Sequence, residues 1–340
     1  MALASDNNAM APLDGATDAQ AAPEPPPVCP RQQAEWAVIV NSESGPKTLR
    51  RARNRKLRAA LGIAGLYFET SSLADLEAAA AAIHRRRCPI VALCGGDGTI
   101  GNAVTALHRQ YRGQPLPDIA LLRGGTMNTI ARSLGMANGT PARRLVDLRQ
   151  SSHGRTLSCT TLAVDDKLGF LFSSGIMYGF LAAYNEAGAG QPTPLTAARV
   201  LATAAASAAV SGAHAERMAR RFRAGLVADG VRLASEEDLL LVGAGTVQQA
   251  GLGFRPYRFA RPGAHHFHVI TYGGGVAGLL QALPQFAIGQ GERVDQARSM
   301  TCRELQLERD EPLPYALDGD LYMSRGPLTL RCGPTVRFLL

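Results

Sequence analysis

Short apolar runs alternate with amphipathic segments between residue 36 and about residue 148 of this 340-residue chain. The runs are "WAVIV", "GLYFETS", "CPIVALC" and "DIALLR", and a segment with helical periodicity follows each of them. This alternation is typical of a parallel sheet with helices on both faces. The sequence therefore predicts an α/β fold in its N-terminal part.

After residue 150 the pattern changes to short alternating strands joined by Asp-Gly turns, which predicts a mostly antiparallel, sandwich-like β domain. The first 33 residues are rich in Ala, Pro, Asp and Asn and cannot build a core. We therefore predict a disordered tail over residues 1–33, an α/β domain over residues 34–150 and a β-rich domain over residues 151–340. The last strand either stays in the second domain or returns to the first.

Charge and cysteine content limit the partners and the compartment. The net charge of +8 favours anionic partners such as nucleotides, nucleic acid or an acidic membrane, without choosing among them. The six cysteines are scattered, and the sequence shows neither a secretory signal nor a stretch typical of a membrane span. We expect a cytoplasmic protein.

The stretch "LCGGDGTIGNAV" places glycines and one carboxylate between a predicted strand and a predicted helix. Glycines at such a junction allow positive φ angles and let backbone N–H groups approach a phosphate. The presence of Asp97 in a phosphate site needs a separate explanation, because a carboxylate repels phosphates unless it holds Mg²⁺ or accepts a proton. The alternative is a tight turn in which Asp97 caps the helix.

A second junction, "LLRGGTMNTIAR", repeats this layout after the next strand. Open α/β sheets bind ligands at the carboxyl ends of their strands, so Gly124, Gly125, Thr126 and Asn128 are expected to face the same phosphates from the other side. Alternatively, Thr126 or Asn128 only caps a helix. The sequence has no GxxxxGK[ST] and no GxGxxG motif, which disfavours a P-loop enzyme and a dinucleotide-binding dehydrogenase.

Together, "GGDGT", "GGTMNTIAR" and the late "DEPLPYALDGD" resemble the diacylglycerol kinase catalytic family, which includes soluble bacterial lipid kinases and the sphingosine and ceramide kinases. The resemblance covers about residues 34 to 340. "GGDGT" alone is shared with NAD kinases, whereas the GT-x-N loop and the C-terminal Asp-Gly-acid turn point to the lipid kinases.

The resemblance implies ATP- and Mg²⁺-dependent transfer of the γ-phosphoryl group to a lipid hydroxyl, as in phospholipid biosynthesis. Diacylglycerol is the default acceptor, and phosphatidic acid is the product. The alternatives are a kinase for a sphingoid base or for NAD, and a nucleotide-binding homologue that has lost catalysis.

The family's functional positions can be carried over to this sequence. Asp97 would serve the metal and the phosphates and Asp320 would be the proton acceptor, although the reverse assignment is also open. Asp318 lies two residues earlier and would face the same side if the turn were a regular strand end. The nucleotide would be lined by Asn41, Thr70, Gly95, Gly96, Asp97, Gly98, Thr99, Ile100, Gly101, Gly125, Thr126 and Asn128.

Three positions depart from the family pattern: Ser42 replaces a proline, Leu181 replaces an aspartate and Asp320 replaces a glutamate. The shorter acid displaces a base by about 1 Å, which costs roughly 100-fold in rate if nothing compensates. The family's acidic Asp-Gly turn is also missing after "RPGAHHFHVITY". Leu181, Asp320 and this missing turn are the reason to keep the inactive homologue among the alternatives.

The basic stretch "PKTLRRARNRKLR" is either a solvated helix face or a surface that holds the enzyme on an anionic membrane. As partners we expect a lipid substrate, with peripheral contact at the inner face of the membrane, and no nucleic acid. Exposed sheet edges in the second domain would permit a homodimer.

Overall fold

The computed structural model describes residues 35–125, 127–136, 138–151, 155–187, 219–251 and 253–340, together with residues 196, 199, 200 and 203. The predicted tail over residues 1–33 and the predicted site residue Thr126 lie outside the described residues. All the other predicted site residues are among those described.

Parallel strands in the order β2-β1-β3-β4 form the N-terminal part of the fold. Apolar helix faces cover both sides of this sheet, with Leu57 and Leu61 buried on one side and Ile83 and Leu107 on the other. The elements are β1 (Trp36–Asn41), α1 (Lys47–Leu61), β2 (Leu66–Thr70), α2 (Leu73–Arg86), β3 (Ile90–Cys94), α3 (Asp97–Tyr111), β4 (Asp118–Leu121), α4 (Thr129–Ser133) and α5 (Pro141–Gln150).

Local signals set the ends of these helices. Ser72 caps α2 by accepting a hydrogen bond from the backbone N–H of Asp75 at 3.1 Å, and the Asp75 carboxylate accepts one from the N–H of Ser72 at 3.0 Å. Helix α1 ends at Gly62, whose φ of 77° suits glycine.

The rest of the chain is mostly antiparallel. Its strands are β5 (Thr156–Val164), β6 (Lys167–Gly169), β7 (Leu171–Gly175), β8 (Phe222–Ala228), β9 (Val231–Leu239), β10 (Leu241–Gly245), β11 (Phe267–Tyr272), β12 (Ala297–Cys302), β13 (Glu304–Glu308), β14 (Pro314–Leu317), β15 (Asp320–Met323) and β16 (Leu328–Leu339). Helices α6 (Ile176–Ala187) and α7 (Val276–Ala287) and a 3₁₀ turn (Gly291–Arg293) lie between them.

Within the described residues, the strands form two sheets. The first continues from β4 through β16, β13, β8 and β9, with β5 and β6 branching from β16. The second has the order β12-β11-β10-β7-β14-β15 and packs face to face on the antiparallel part of the first, with Phe172, Phe267 and Leu305 buried between them. Helix α7 covers the outer face of the second sheet through Leu279 and Phe286.

The last strand joins both halves of the first sheet. Its end pairs in parallel with β4, where Phe338 lies opposite Ile119, and its beginning pairs antiparallel with β13. The predicted fold class, a parallel α/β part followed by an antiparallel β part, is confirmed. The domain boundaries stay a prediction.

Candidate functional site

The loops after β3 and β4 lie against each other, backbone to backbone. The N–H of Gly124 donates to the carbonyl oxygen of Gly95 at 3.0 Å. A Cβ atom on Gly125 would lie 2.3 Å from the Cα of Gly96, so a larger residue does not fit there. None of these four glycines has a positive φ. The expectation of positive φ was therefore wrong, and close approach of two loops is the reason for glycine.

Asp97 is the first residue of α3, and its carboxylate reaches across to the start of α4. Its Oδ2 and Oδ1 atoms accept hydrogen bonds from the N–H groups of Thr129 and Ile130, both at 2.9 Å. Burial raises the pKa of Asp97, while these backbone hydrogen bonds act in the opposite direction. Asp97 thus caps a neighbouring helix, whereas the sequence suggested a cap of its own helix.

Three polar side chains predicted to bind the nucleotide also shape the loops. Asn128 donates to the carbonyl oxygen of Gly125 at 2.6 Å and accepts from its N–H at 3.1 Å, so its side chain holds the loop and does not cap α4. Asn41 donates to the Thr99 hydroxyl at 2.8 Å. Thr70 is buried at the end of β2.

Asp318 and Asp320 come from the hairpin between β14 and β15. Asp318 and Gly319 have φ angles of 51° and 91° and form its two-residue turn, so the regular strand end considered above does not occur. The Oδ1 atom of Asp318 accepts from the N–H groups of Phe170 and Leu171 at 3.0 and 2.9 Å. This carboxylate therefore ties the hairpin to the point where the chain passes from the first sheet to the second.

Both carboxylates nevertheless approach the first turns of α3. A Cβ atom on Gly98 would lie 2.6 Å from Oδ2 of Asp320, and one on Gly101 would lie 2.6 Å from Oδ2 of Asp318. The last two glycines of the "GGDGTIG" stretch thus make room for acids from the other half of the molecule.

Burial raises the pKa of both acids, but their other surroundings act on the two pKa values in different directions. It raises the pKa of Asp318 well above its usual value, and the charges of Asp97 and Asp320 add to this rise. Burial also raises the pKa of Asp320, but hydrogen bonds from Asn102 and Tyr322 oppose that rise. A carboxylate with a raised pKa is a better proton acceptor once ionised, which suits Asp320 for the role of base.

Sequence reasoning missed several residues that support the site. Asn102 donates to Oδ2 of Asp320 at 2.9 Å, and its position four residues after Gly98 on α3 was an available signal. Arg53 donates to the carbonyl oxygens of Ser44 and Asn41 at 2.7 and 3.1 Å. This arginine belongs to the basic stretch for which the sequence predicts either a solvated helix face or a membrane-binding surface. No sequence pattern indicates that its side chain holds the β1–α1 loop in place.

A cavity of about 1140 Å³ connects these groups to the outer face of the second sheet. We call its two regions the polar end and the apolar lobe. The polar end is lined by Asn41, Thr70, Asp97, Thr99, Asn102 and Asp320, together with Gly96, Gly98 and Gly125. The apolar lobe lies along α6 and α7 and is lined by Met177, Phe180, Leu181, Leu279, Leu283 and Phe286.

The remaining predicted residues stand apart from the cavity lining. Ile100 is buried in the core beneath the sheet, and Gly101 is covered by Asp318. Gly95 and Asn128 lie behind the loop surface that lines the polar end. Asp318, which covers Gly101, does line the cavity. The cavity thus brings together Asn41, Thr70, Gly96, Asp97, Gly98, Thr99, Gly125, Asp318 and Asp320.

A family model matches the part of the chain that carries the glycine loops. Residues 35–159 match the diacylglycerol kinase catalytic domain. The matched region runs from β1 into β5, and a match to a domain of this kinase type implies a nucleotide substrate. The hairpin with Asp318 and Asp320 lies beyond it.

Solved structures resemble the chain over most of its length. A "putative diacylglycerol kinase" from Bacillus anthracis str. Sterne is 15% identical, with a TM-score of 0.63, and the match covers 90% of this chain and 96% of that protein. A diacylglycerol kinase from the same organism is 14% identical over the same shares, with a TM-score of 0.56. At these identities the likeness shows a shared fold. No curated protein matches the chain.

Mg²⁺, which the kinase domain implies, fits the residues at the polar end. Asp97 lines the cavity, and its two backbone hydrogen bonds leave acceptor positions on the carboxylate. Among the described residues, no three His, Cys, Asp or Glu side chains form a metal-binding group.

Leu181, which replaces the aspartate of the kinase pattern, faces the apolar lobe and packs with Phe180 and Tyr184. The replacement therefore extends the apolar surface. None of the helices in the described part of the chain is long and apolar enough to cross a membrane.

Proposed function

We propose that this protein is an ATP- and Mg²⁺-dependent lipid kinase that transfers the γ-phosphoryl group of ATP to a lipid hydroxyl, with diacylglycerol as acceptor and phosphatidic acid as product. The observation that carries the proposal is the single cavity with a polar end and an apolar lobe. Such a cavity suits a charged donor and an acceptor with hydrocarbon chains.

Each group in the polar end has a role in this reaction. The loop after β3 presents the start of α3, whose first N–H groups have no partner within the helix, to the phosphates. Asp97 would hold Mg²⁺, which would neutralise charge on the phosphates. Asp320 accepts the proton of the acceptor hydroxyl, and Asn102 and Tyr322 hold its carboxylate in place. Asp318 fixes the hairpin that presents Asp320.

The acceptor resides in a membrane, so we also propose transient contact with an anionic membrane surface in the cytoplasm. Helix α1 exposes Lys47, Arg51, Arg55 and Lys56, which would contact the anionic lipids. Arg50 and Arg53 instead bind the loop between β1 and α1. We retain the homodimer as a proposal.

A turnover assay tests the proposal. Purified protein, Mg²⁺ and labelled ATP are offered diacylglycerol, a sphingoid base and NAD, and diacylglycerol is expected to be phosphorylated fastest. Preferential phosphorylation of the sphingoid base or of NAD would replace the proposed acceptor. Binding of ATP without phosphorylation of any acceptor would identify an inactive homologue.

A further inference from the structure

The floor of the apolar lobe is the outer face of the second sheet. On this face Gly243 of β10 lies between Ser173 of β7 and Ile270 of β11, as direct cross-strand partners. Directly paired residues project on the same side of a sheet, and all three line the cavity. The side chain of Ser173 therefore points into an apolar compartment.

The side chain of Tyr257 places a second hydroxyl group on the cavity floor, next to Gly243. A Cβ atom on Gly243 would lie 2.5 Å from the Tyr257 hydroxyl oxygen, so the glycine leaves the space that the phenol occupies. Paired residues in antiparallel strands have Cα atoms about 5 Å apart. The hydroxyl groups of Ser173 and Tyr257 thus flank one position on the cavity floor.

Within the described part of the chain, neither hydroxyl has a hydrogen-bond partner, although Tyr257 is only 6% exposed. Neighbouring residues of the same types do have partners. Ser174 donates to the carbonyl oxygen of Pro314 at 2.7 Å, and Tyr315 donates to Asp165 at 3.1 Å. Ser173 is half-buried and both residues line the cavity, so the two hydroxyls face it without a partner among the described residues and are available to donate to a ligand oxygen.

We propose that Ser173 and Tyr257 bind the carbonyl oxygen of an acylated lipid acceptor, which makes them specificity-determining residues for esters or amides. A carbonyl oxygen has two lone pairs and accepts both hydroxyls. The strand pairing Ser173–Ala316–Leu321 places Ser173 about 10 Å from Asp320, and an acyl carbonyl lies only a few bonds from the free hydroxyl of a glyceride. This inference rests on the proposed function.

The test compares dioctanoylglycerol with its diether analogue, 1,2-di-O-octylglycerol, which has the same chains and hydroxyl but no carbonyl. Tyr257→Phe and Ser173→Ala each remove one oxygen. Each is expected to lower kcat/KM for the diester about fivefold, the effect of one neutral hydrogen bond, and to leave the diether unchanged. An equal loss on both lipids, or no loss on the diester, overturns the proposal. A short-chain ceramide in the same panel distinguishes an amide from an ester.

Tyr315→Phe and Ser174→Ala are the matched controls, because their hydroxyls lie outside the cavity lining. Neither is expected to change the ratio of diester to diether activity. If the wild-type protein phosphorylates no lipid, the proposed function fails and binding of the two labelled lipids is measured directly. A preference for the diester that Tyr257→Phe abolishes upholds the carbonyl site, whereas equal binding, or no binding of either lipid, overturns it.

Discussion

The carboxylate of Asp320 occupies the space that a side chain on Gly98 would fill, with Oδ2 of Asp320 2.6 Å from the position of a Gly98 Cβ atom. The glycine belongs to the helix that follows the first loop, and the acid belongs to a hairpin more than two hundred residues later. This contact joins the two halves of the polar end. It also gives a substitution that disturbs the proposed base, Asp320, without removing it.

Gly98→Ala is expected to push the Asp320 carboxylate aside and to lower kcat about 100-fold, because a displacement of about 1 Å misplaces a base. The end of a side chain moves more easily than backbone, so the free energy of unfolding should change little. Labelled-ATP turnover and urea unfolding measure the two effects. Gly139→Ala, where a Cβ meets open space, is the control. Full activity in Gly98→Ala would show that the position of Asp320 is unimportant.

Gly101→Ala tests the neighbouring contact by the sign of its effect on stability. Helix propensity alone predicts a gain of about 1 kcal/mol. The added Cβ, however, would lie 2.6 Å from Oδ2 of Asp318 and 3.1 Å from the carbonyl oxygen of Leu168. Asp318 is held by two backbone N–H groups, so we expect a net loss of about 2 kcal/mol in urea unfolding. A stabilised variant contradicts this expectation.

Asp97 combines a structural and a proposed chemical role, and two substitutions separate them. Asp97→Ala removes the cap of α4 and should lower the free energy of unfolding by about 1–2 kcal/mol. Asp97→Asn keeps one acceptor oxygen and should cost less stability, yet both variants should lose phosphoryl transfer. Urea unfolding and labelled-ATP turnover are the measurements. An active Asp97→Asn enzyme would show that the charge is not needed at this position.

The hydrogen bond from Tyr322 should set the acidic limb of the pH profile. It lowers the pKa of Asp320 against the effect of burial, because it stabilises the ionised carboxylate. Tyr322→Phe should therefore raise the pKa of Asp320. Since the base must be ionised, kcat/KM should begin to fall at a higher pH than in the wild-type protein. Tyr315→Phe should leave the profile unchanged, and a shift to lower pH in Tyr322→Phe would exclude Asp320 as the base.

Replacing Lys47, Arg51, Arg55 and Lys56 by glutamine should weaken sedimentation with anionic vesicles, since each cation near such a surface contributes about 1 kcal/mol. Activity on substrate in neutral micelles should be preserved, because these side chains are exposed and none of them lines the cavity. Equal binding of the wild-type protein to neutral and anionic vesicles would argue against the electrostatic attraction.

Much of the fold could be predicted because it follows from local sequence patterns. The alternation of apolar runs and helical segments predicted the parallel strands. Because β3 and β4 are parallel neighbours, their carboxyl ends lie at the same edge of the sheet. The sequence did not predict that the glycines serve close contacts. Gly125 needs to be glycine because Gly96 lies against it, and no local pattern encodes a contact between two loops. The approach of Asp318 to Gly101 depends likewise on pairing between distant strands.

The placement of β16 has a consequence for synthesis. The outer edge of β4 is covered by the last residues of this strand, which pair with Ile119 and Ala120. At about 5–20 residues per second, a ribosome needs roughly 10–40 s to synthesise the ~200 residues between β4 and the end of β16. During that time the nascent chain exposes an unpaired parallel edge, which is a template for association with other chains. A chaperone that shields β4 until translation passes Leu339 would improve the yield of native protein.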